Sequence, residues 1–134
     1  MRKSFLIQAA VLGALAVMAG AFGAHGLKSI LSAEELSVFE TAVRYQMLHV
    51  FALLAAGILY REFPGRWMVF SGRCFFYGIL LFSGSLYLIT GLELNAVSIP
   101  LLVGLSTPLG GLLLIAGWIL LAIALGRSGA GSNR

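Results

Sequence analysis

Charge is scarce in this sequence: of 134 residues, nine are Lys or Arg and five are Asp or Glu, together 10%. A soluble domain carries about 25% charged residues, so water is not the medium this chain is built for. The net charge of +4 is not a nucleic-acid footprint, because the basic residues stand singly at the ends of apolar runs and form no patch. Cysteine is reduced to Cys74. That excludes an intrachain disulfide framework and a thiolate metal site, and leaves a small packing residue within an apolar run. Catalytic apparatus is missing as well, since no nucleophile stands beside a base and neither a phosphate-binding loop nor paired carboxylates occur. The residues therefore point to no enzyme class and no cofactor.

Apolar residues fill the chain instead: 60% are hydrophobic and the mean hydropathy is +0.99. The lipid bilayer is the solvent and the first partner. After the positive start at Arg2 and Lys3, residues 5–25 are apolar for long enough to cross a ~30 Å hydrocarbon core at 1.5 Å per residue. Ala19-Gly20-Ala21 resembles a signal-peptide cleavage site. Small residues spaced by four, at Ala10 and Ala14 and at Ala16, Gly20 and Ala24, favour a retained packing helix, with Gly26 as its C-cap.

Ser32-Ala33-Glu34-Glu35 reads as a capping box that opens a second helix. Its early part is acidic and amphipathic and lies against the headgroups; without a break it becomes a span over about 42–60. Thr41, Tyr45, Gln46, His49, Ala52 and Ala56 share one face, predicted to turn inward, and Glu40 is placed to pair with Arg44. Arg61-Glu62-Phe63-Pro64-Gly65-Arg66-Trp67 is a turn at the membrane surface. A third span follows over about 67–90, with Arg73 snorkelling to the headgroups and Gly91 ending the helix. Thr107 as N-cap and Pro108 at the first position start a fourth span over 108–125. Residues 96–105 are either a half-helix or the beginning of a fourth span that starts at Pro100 and kinks at Pro108. The expectation is one all-α domain over 1–126, an integral membrane four-helix bundle with an amphipathic interfacial helix before the second span, and a flexible cytoplasmic tail over 127–134. With the basic residues weighted to one side, the positive-inside rule places both termini in the cytoplasm.

Three motifs occur in order: Gly20-Ala21-Phe22-Gly23-Ala24-His25-Gly26-Leu27, Phe39-Glu40-Thr41-Ala42-Val43-Arg44-Tyr45-Gln46-Met47-Leu48-His49, and Thr107-Pro108-Leu109-Gly110-Gly111 with Gly117-Trp118. In these the chain resembles the uncharacterised YgdD/YwdK-type family of small bacterial inner-membrane proteins, whose animal relatives are called transmembrane protein 256. The resemblance runs over nearly the whole chain and implies a four-span inner-membrane protein with no agreed activity.

His25, Arg44, Tyr45, Gln46, His49 and Glu93 form a candidate polar cluster in one leaflet, and Thr107, Pro108, Gly110 and Gly111 a candidate helix-start and packing motif. The preferred reading of the cluster is a hydrogen-bond network that fixes helix geometry, in a structural or accessory bundle that packs as a homo-oligomer or within a larger membrane complex. A second reading is a site for a proton, ion or small anion in an oligomeric transporter, with Arg44 holding the anion and His49 titrating. A third has His25 and His49 hold a haem or metal, for which two ligands are a weak signal.

Overall fold

The computed structural model describes residues 1–128. Four long helices account for nearly all of them: α1 Lys3–Phe22, α2 Ala33–Leu59, α3 Arg66–Leu94 and α4 Leu101–Ser128. Each is long and apolar enough to cross a membrane. The principal packing follows chain order, α1 on α2, α2 on α3 and α3 on α4, as short connections between antiparallel neighbours dictate.

The closest fit lies between α3 and α4. Met68, Ser71, Phe75, Gly78, Phe82 and Ser85 recur along α3 at alternating steps of three and four, as do Gly110, Leu114, Gly117, Leu121 and Ala124 along α4. That is the period of left-handed antiparallel packing. Large and small residues alternate in both rows, and they interlock. A side chain on Gly110 would run into the backbone of Phe82, while one on Gly78 would lie 2.6 Å from Leu114 and one on Gly117 2.7 Å from the Phe75 ring. The same device joins α1 to α2, where Gly13 faces Val50, Gly20 faces Val43, Gly23 faces the Phe39 ring and Gly57 faces Leu6. Phe5 reaches past α2 to lie against Gly72 of α3.

The capping box at Ser32 forms as the sequence predicts, with the Glu35 N–H donating to the Ser32 hydroxyl at 3.2 Å and the Ser32 N–H to the Glu35 carboxylate at 2.7 Å. α2 then continues to Leu59 as one helix. The turn between α2 and α3 also falls where the sequence places it, whereas the ends of α1 and α3 and the start of α4 differ from expectation. Gly26 does not stop the first helix, which continues as a π-helical turn over Gly23–Leu27. There the Phe22 ring lies against the Gly26 backbone, 2.8 Å from where a side chain would start.

Gly91 does not end α3 either. The helix closes at Asn95, whose side-chain amide donates to the Gly91 carbonyl at 2.7 Å. Ala96 follows with φ 54°, and the Val97 and Ala96 N–H groups donate back to Leu92 and Glu93 at 2.9 Å each. This is a Schellman ending with alanine in the left-handed position that glycine normally takes.

Thr107 and Pro108 likewise do not start α4. They lie inside it, and its first turn hangs from the Pro100 carbonyl, which accepts from Val103 at 3.0 Å and Gly104 at 3.2 Å. Of the two readings of residues 96–105, the long fourth helix is the one observed. The tertiary fit explains it: Thr107 pairs with Ser85 of α3 while Gly110 admits Phe82, and only helix continuing through Pro108 puts both on one face. Arg127 and Ser128, assigned to a tail from the sequence, belong to α4; the rest of that tail lies outside the described residues.

Two substitutions separate packing from helix propensity. Gly110→Ala is expected to destabilise the bundle by about 1–3 kcal/mol through overpacking, whereas Gly84→Ala, with open space around its position, should gain about 0.5–1 kcal/mol. Thermal unfolding in detergent micelles reads both signs. In the same assay Ala96→Gly should stabilise by about 1 kcal/mol, by relieving the left-handed strain at the α3 terminus.

Candidate functional site

The polar residues of α2 part company at Gln46. Of the inward face predicted from the sequence, Gln46, His49, Ala52 and Ala56 are buried, joined by Val50 and Leu53. Tyr45 is 41% exposed, and Arg44 is exposed too. A step of 100° per residue explains the division, since the two residues preceding a buried Gln46 are carried round to the outer surface.

Gln46 is the junction of three helices. Its Nε2 donates to the Leu12 carbonyl of α1 at 2.7 Å, and its Oε1 accepts from the Tyr87 hydroxyl of α3 at 2.8 Å. Tyr87 is held in turn by the Phe39 ring, 5.1 Å away between centroids. In hydrocarbon an unpaired amide is costly, so a glutamine satisfied at both ends specifies how the helices sit.

His49 spends its polarity differently. Its Nδ1 lies 2.7 Å from the Tyr45 carbonyl; since a carbonyl only accepts, Nδ1 carries the hydrogen. The ring is flanked by Phe75 of α3 and Trp118 of α4, with centroids 6.0 and 6.1 Å away. Gln46 and His49 therefore serve different contacts, and His25 joins neither. It sits exposed in the π-helical turn and makes no hydrogen bond, ion pair or ring contact among the described residues. Glu93 is exposed beside Ser32, Glu34 and Glu35. Arg44 shares a groove with Gly20, Gly23, Phe39 and Glu40, but no ion pair joins Arg44 to Glu40 among the described residues. No three His, Cys, Asp or Glu side chains converge as a metal-binding set among them.

Hydroxyl groups whose interhelical bonds the sequence did not announce, Ser83 and Ser85 being legible only as small packing positions, complete the polar core. Ser83 of α3 donates to the Ala42 carbonyl of α2, and Ser71 donates to the Gly117 carbonyl of α4, both at 2.8 Å. Ser85 donates to its own helix at Phe82 (2.9 Å), so the 2.6 Å contact with Thr107 uses the Thr107 hydrogen. The available signal was the seven-residue spacing of Ser71, Gly78 and Ser85, which marks a single small-residue seam. Gly110 and Gly111 divide: Gly110 lies against the α3 backbone at Phe82, while a side chain on Gly111 would meet the Phe82 ring only at an ordinary 3.7 Å.

Four membrane-length helices, buried polar groups bonded between helices and an apolar exterior define a small polytopic helical membrane protein. The chain belongs to the family described as "Protein of unknown function (DUF423)", which matches residues 19–111. It is similar to the UPF0382 membrane protein SSP2132 of Staphylococcus saprophyticus, at 43% identity covering 90% of this chain and 95% of that one. It is also similar to the UPF0382 membrane protein YwdK of Bacillus subtilis, at 38% over 91% and 95% of the two chains. The UPF0382 inner membrane protein YgdD of Escherichia coli is 37% identical over 95% of each. No solved structure matches.

A double-mutant cycle on Gln46→Leu and Tyr87→Phe tests the junction. The coupling between the two sites is expected to be about 0.6 kcal/mol and no more than about 1.7 kcal/mol, as for other interhelical hydrogen bonds in membranes. Additive single effects would place Tyr87 outside the network.

Proposed function

We propose that the chain works as one structural or accessory domain, residues 1–126, in the bacterial inner membrane, packing against itself or against a larger membrane complex. The observation that carries this reading is where the buried polarity goes. The side chains of Gln46, Ser71, Ser83 and Ser85 bond to neighbouring helices, and His49 and Thr90 bond within their own. Among the described residues no Asp, Glu, Lys or Arg is buried as a whole residue, and the buried side-chain atoms without a partner, Arg2 Nε and Gln8 Oε1, lie near the start of α1, away from the Gln46 and His49 contacts. A conducting path needs polar groups free to meet a passing ion, and helices packed in chain order support a role in which shape is the product.

In this reading Gln46 is the lock, while His25, Arg44, Tyr45 and Glu93 stand on or near the outer surface, available to headgroups or a partner. Both termini are assigned to the cytoplasm. Arg2, Lys3, Arg61, Arg66, Arg73 and Arg127 fall at one end of the bundle, against Lys28 and Arg44 toward the other, and the positive-inside rule orients the first group inward.

Cross-linking and mass spectrometry from native membranes test the role; a specific membrane partner is the expected result. A discrete homo-oligomer whose proteoliposomes carry an ion flux abolished by Arg44→Ala would replace it with transport. Orientation is read separately in a Cys74→Ser background. An impermeant maleimide applied outside cells should label Ser29→Cys and leave Glu62→Cys unlabelled until the membrane is opened.

A further inference from the structure

Because α1 packs chiefly on α2, the groove between α1 and α3 holds two separate pockets in line along the helices, and they differ in chemistry. The middle stretch, about 320 Å³, is lined by Leu12, Leu15, Ile79, Leu80 and Gly84, with Gln46 and Tyr87 among its walls. Toward the arginine-bearing end the same two helices line a polar mouth of about 200 Å³, with Arg2, Ser4 and Gln8 from the α1 end and Arg73 and Tyr77 from α3. Arg2 Nε and Gln8 Oε1 are both buried there without any hydrogen-bond partner. The Arg2 guanidinium rests over the Phe5 and Tyr60 rings, 5.1 and 5.6 Å from their centroids. Neither Arg2 nor Arg73 meets a carboxylate among the described residues.

We propose that this groove binds one anionic phospholipid, with its phosphate between Arg2 and Arg73 and an acyl chain laid along Leu12, Leu15, Leu80 and Gly84. Two guanidinium groups without an acidic partner suit a phosphate, and a basic pocket between helices at the membrane edge is where headgroups are held. The dimensions agree. Gln8 to Ala19 and Arg73 to Gly84 each span eleven residues, about 16 Å at the helical rise, close to the depth of one leaflet in a ~30 Å core. A helix or a soluble anion alone would satisfy only one of the two parts.

Native mass spectrometry of the whole protein, released from micelles into which phosphatidylglycerol and phosphatidylcholine have been added equally, reads the site directly. One phosphatidylglycerol is expected to remain bound, with retention falling roughly thirtyfold in the Arg2→Gln, Arg73→Gln double variant, at about 1 kcal/mol per arginine. The Arg66→Gln, Arg127→Gln pair removes the same charge from the same end and should retain the lipid. Gly84→Leu, which fills open space in the groove, should expel the lipid with both arginines in place. Equal loss in the two arginine pairs, or undiminished binding to Gly84→Leu, would overturn the assignment. Displacement of the lipid by inorganic phosphate would overturn it in favour of a soluble anion. Thermal unfolding of each variant accompanies the measurement, and Arg2→Lys, Arg73→Lys, which keeps both charges, should recover most of the retention if the glutamine pair fails to fold.

Discussion

Between lipid tails and leucine side chains there is no hydrophobic difference to drive helices together, so association inside a membrane depends on fit. Here that fit is the α3–α4 seam. Its rows of alternating large and small residues let the backbone of Gly110 approach that of Phe82. At that separation short hydroxyl side chains suffice to cross the gap, from Ser71 to the Gly117 carbonyl and from Thr107 to Ser85. The remaining helices attach to this pair in turn. α2 is tied by Ser83 to Ala42 and by Tyr87 to Gln46, and α1 by Gln46 to Leu12 and by the Phe5 ring against Gly72. An error at the seam would therefore travel outward, because the positions of Ser83 and Tyr87 on α3 are set by it.

Gln46 has a second consequence for its neighbours. With that side chain turned inward, helical geometry leaves Arg44 no route into the core and carries it to the surface, where its charge is tolerable. One buried amide thus fixes which of several polar residues meet protein and which meet the membrane edge. His49, one turn further on, shows the alternative solution for a polar ring at depth: it returns its N–H to its own helix at Tyr45 and offers the rest of its surface to Phe75 and Trp118.

What could be read from sequence was whatever is decided locally. The Ser32 cap is a contact between residues three apart, and the spans follow from apolar length, so both emerge without tertiary information. Gln46 and His49 were legible as inward residues, because a glutamine or histidine in an apolar run needs a partner. Thr107-Pro108 misled for a physical reason. A threonine before proline is good N-cap chemistry, yet the same hydroxyl serves equally to bond across a seam, and only the neighbouring helix decides. Gly26 misled in the same way, because a glycine that ends a helix and a glycine that makes room for a neighbouring ring look alike, while at Gly91 nothing lies within 4 Å and the helix simply runs on to Asn95. The Glu40–Arg44 spacing permitted a pair that the structure does not make, in keeping with the small worth of such exposed contacts. Arg2 and Gln8, near the chain start, gave no signal of sharing a pocket with Arg73, since that proximity exists only once α1 lies along α2.

The contrast between the seam and the α1–α3 groove bears on what the bundle is for. At Gly78, Gly110 and Gly117 the missing side chain is filled by Leu114, Phe82 and Phe75, so each glycine has a packing reason. At Gly84 nothing approaches within 4 Å, and a mid-helix glycine there costs about 0.5–1 kcal/mol relative to alanine. The chain leaves room on both sides of Gly84, toward Leu12 and Leu15 of α1 and toward Val103 and Ser106 of α4, at the level of the bilayer interior, where an empty channel in the surface fills with hydrocarbon. The surrounding lipid is then part of the fit: where α1 and α3 do not meet, an acyl chain supplies the packing that a larger residue would otherwise provide. The bundle is complete only with that chain in place, which links its stability to the composition of the membrane around it.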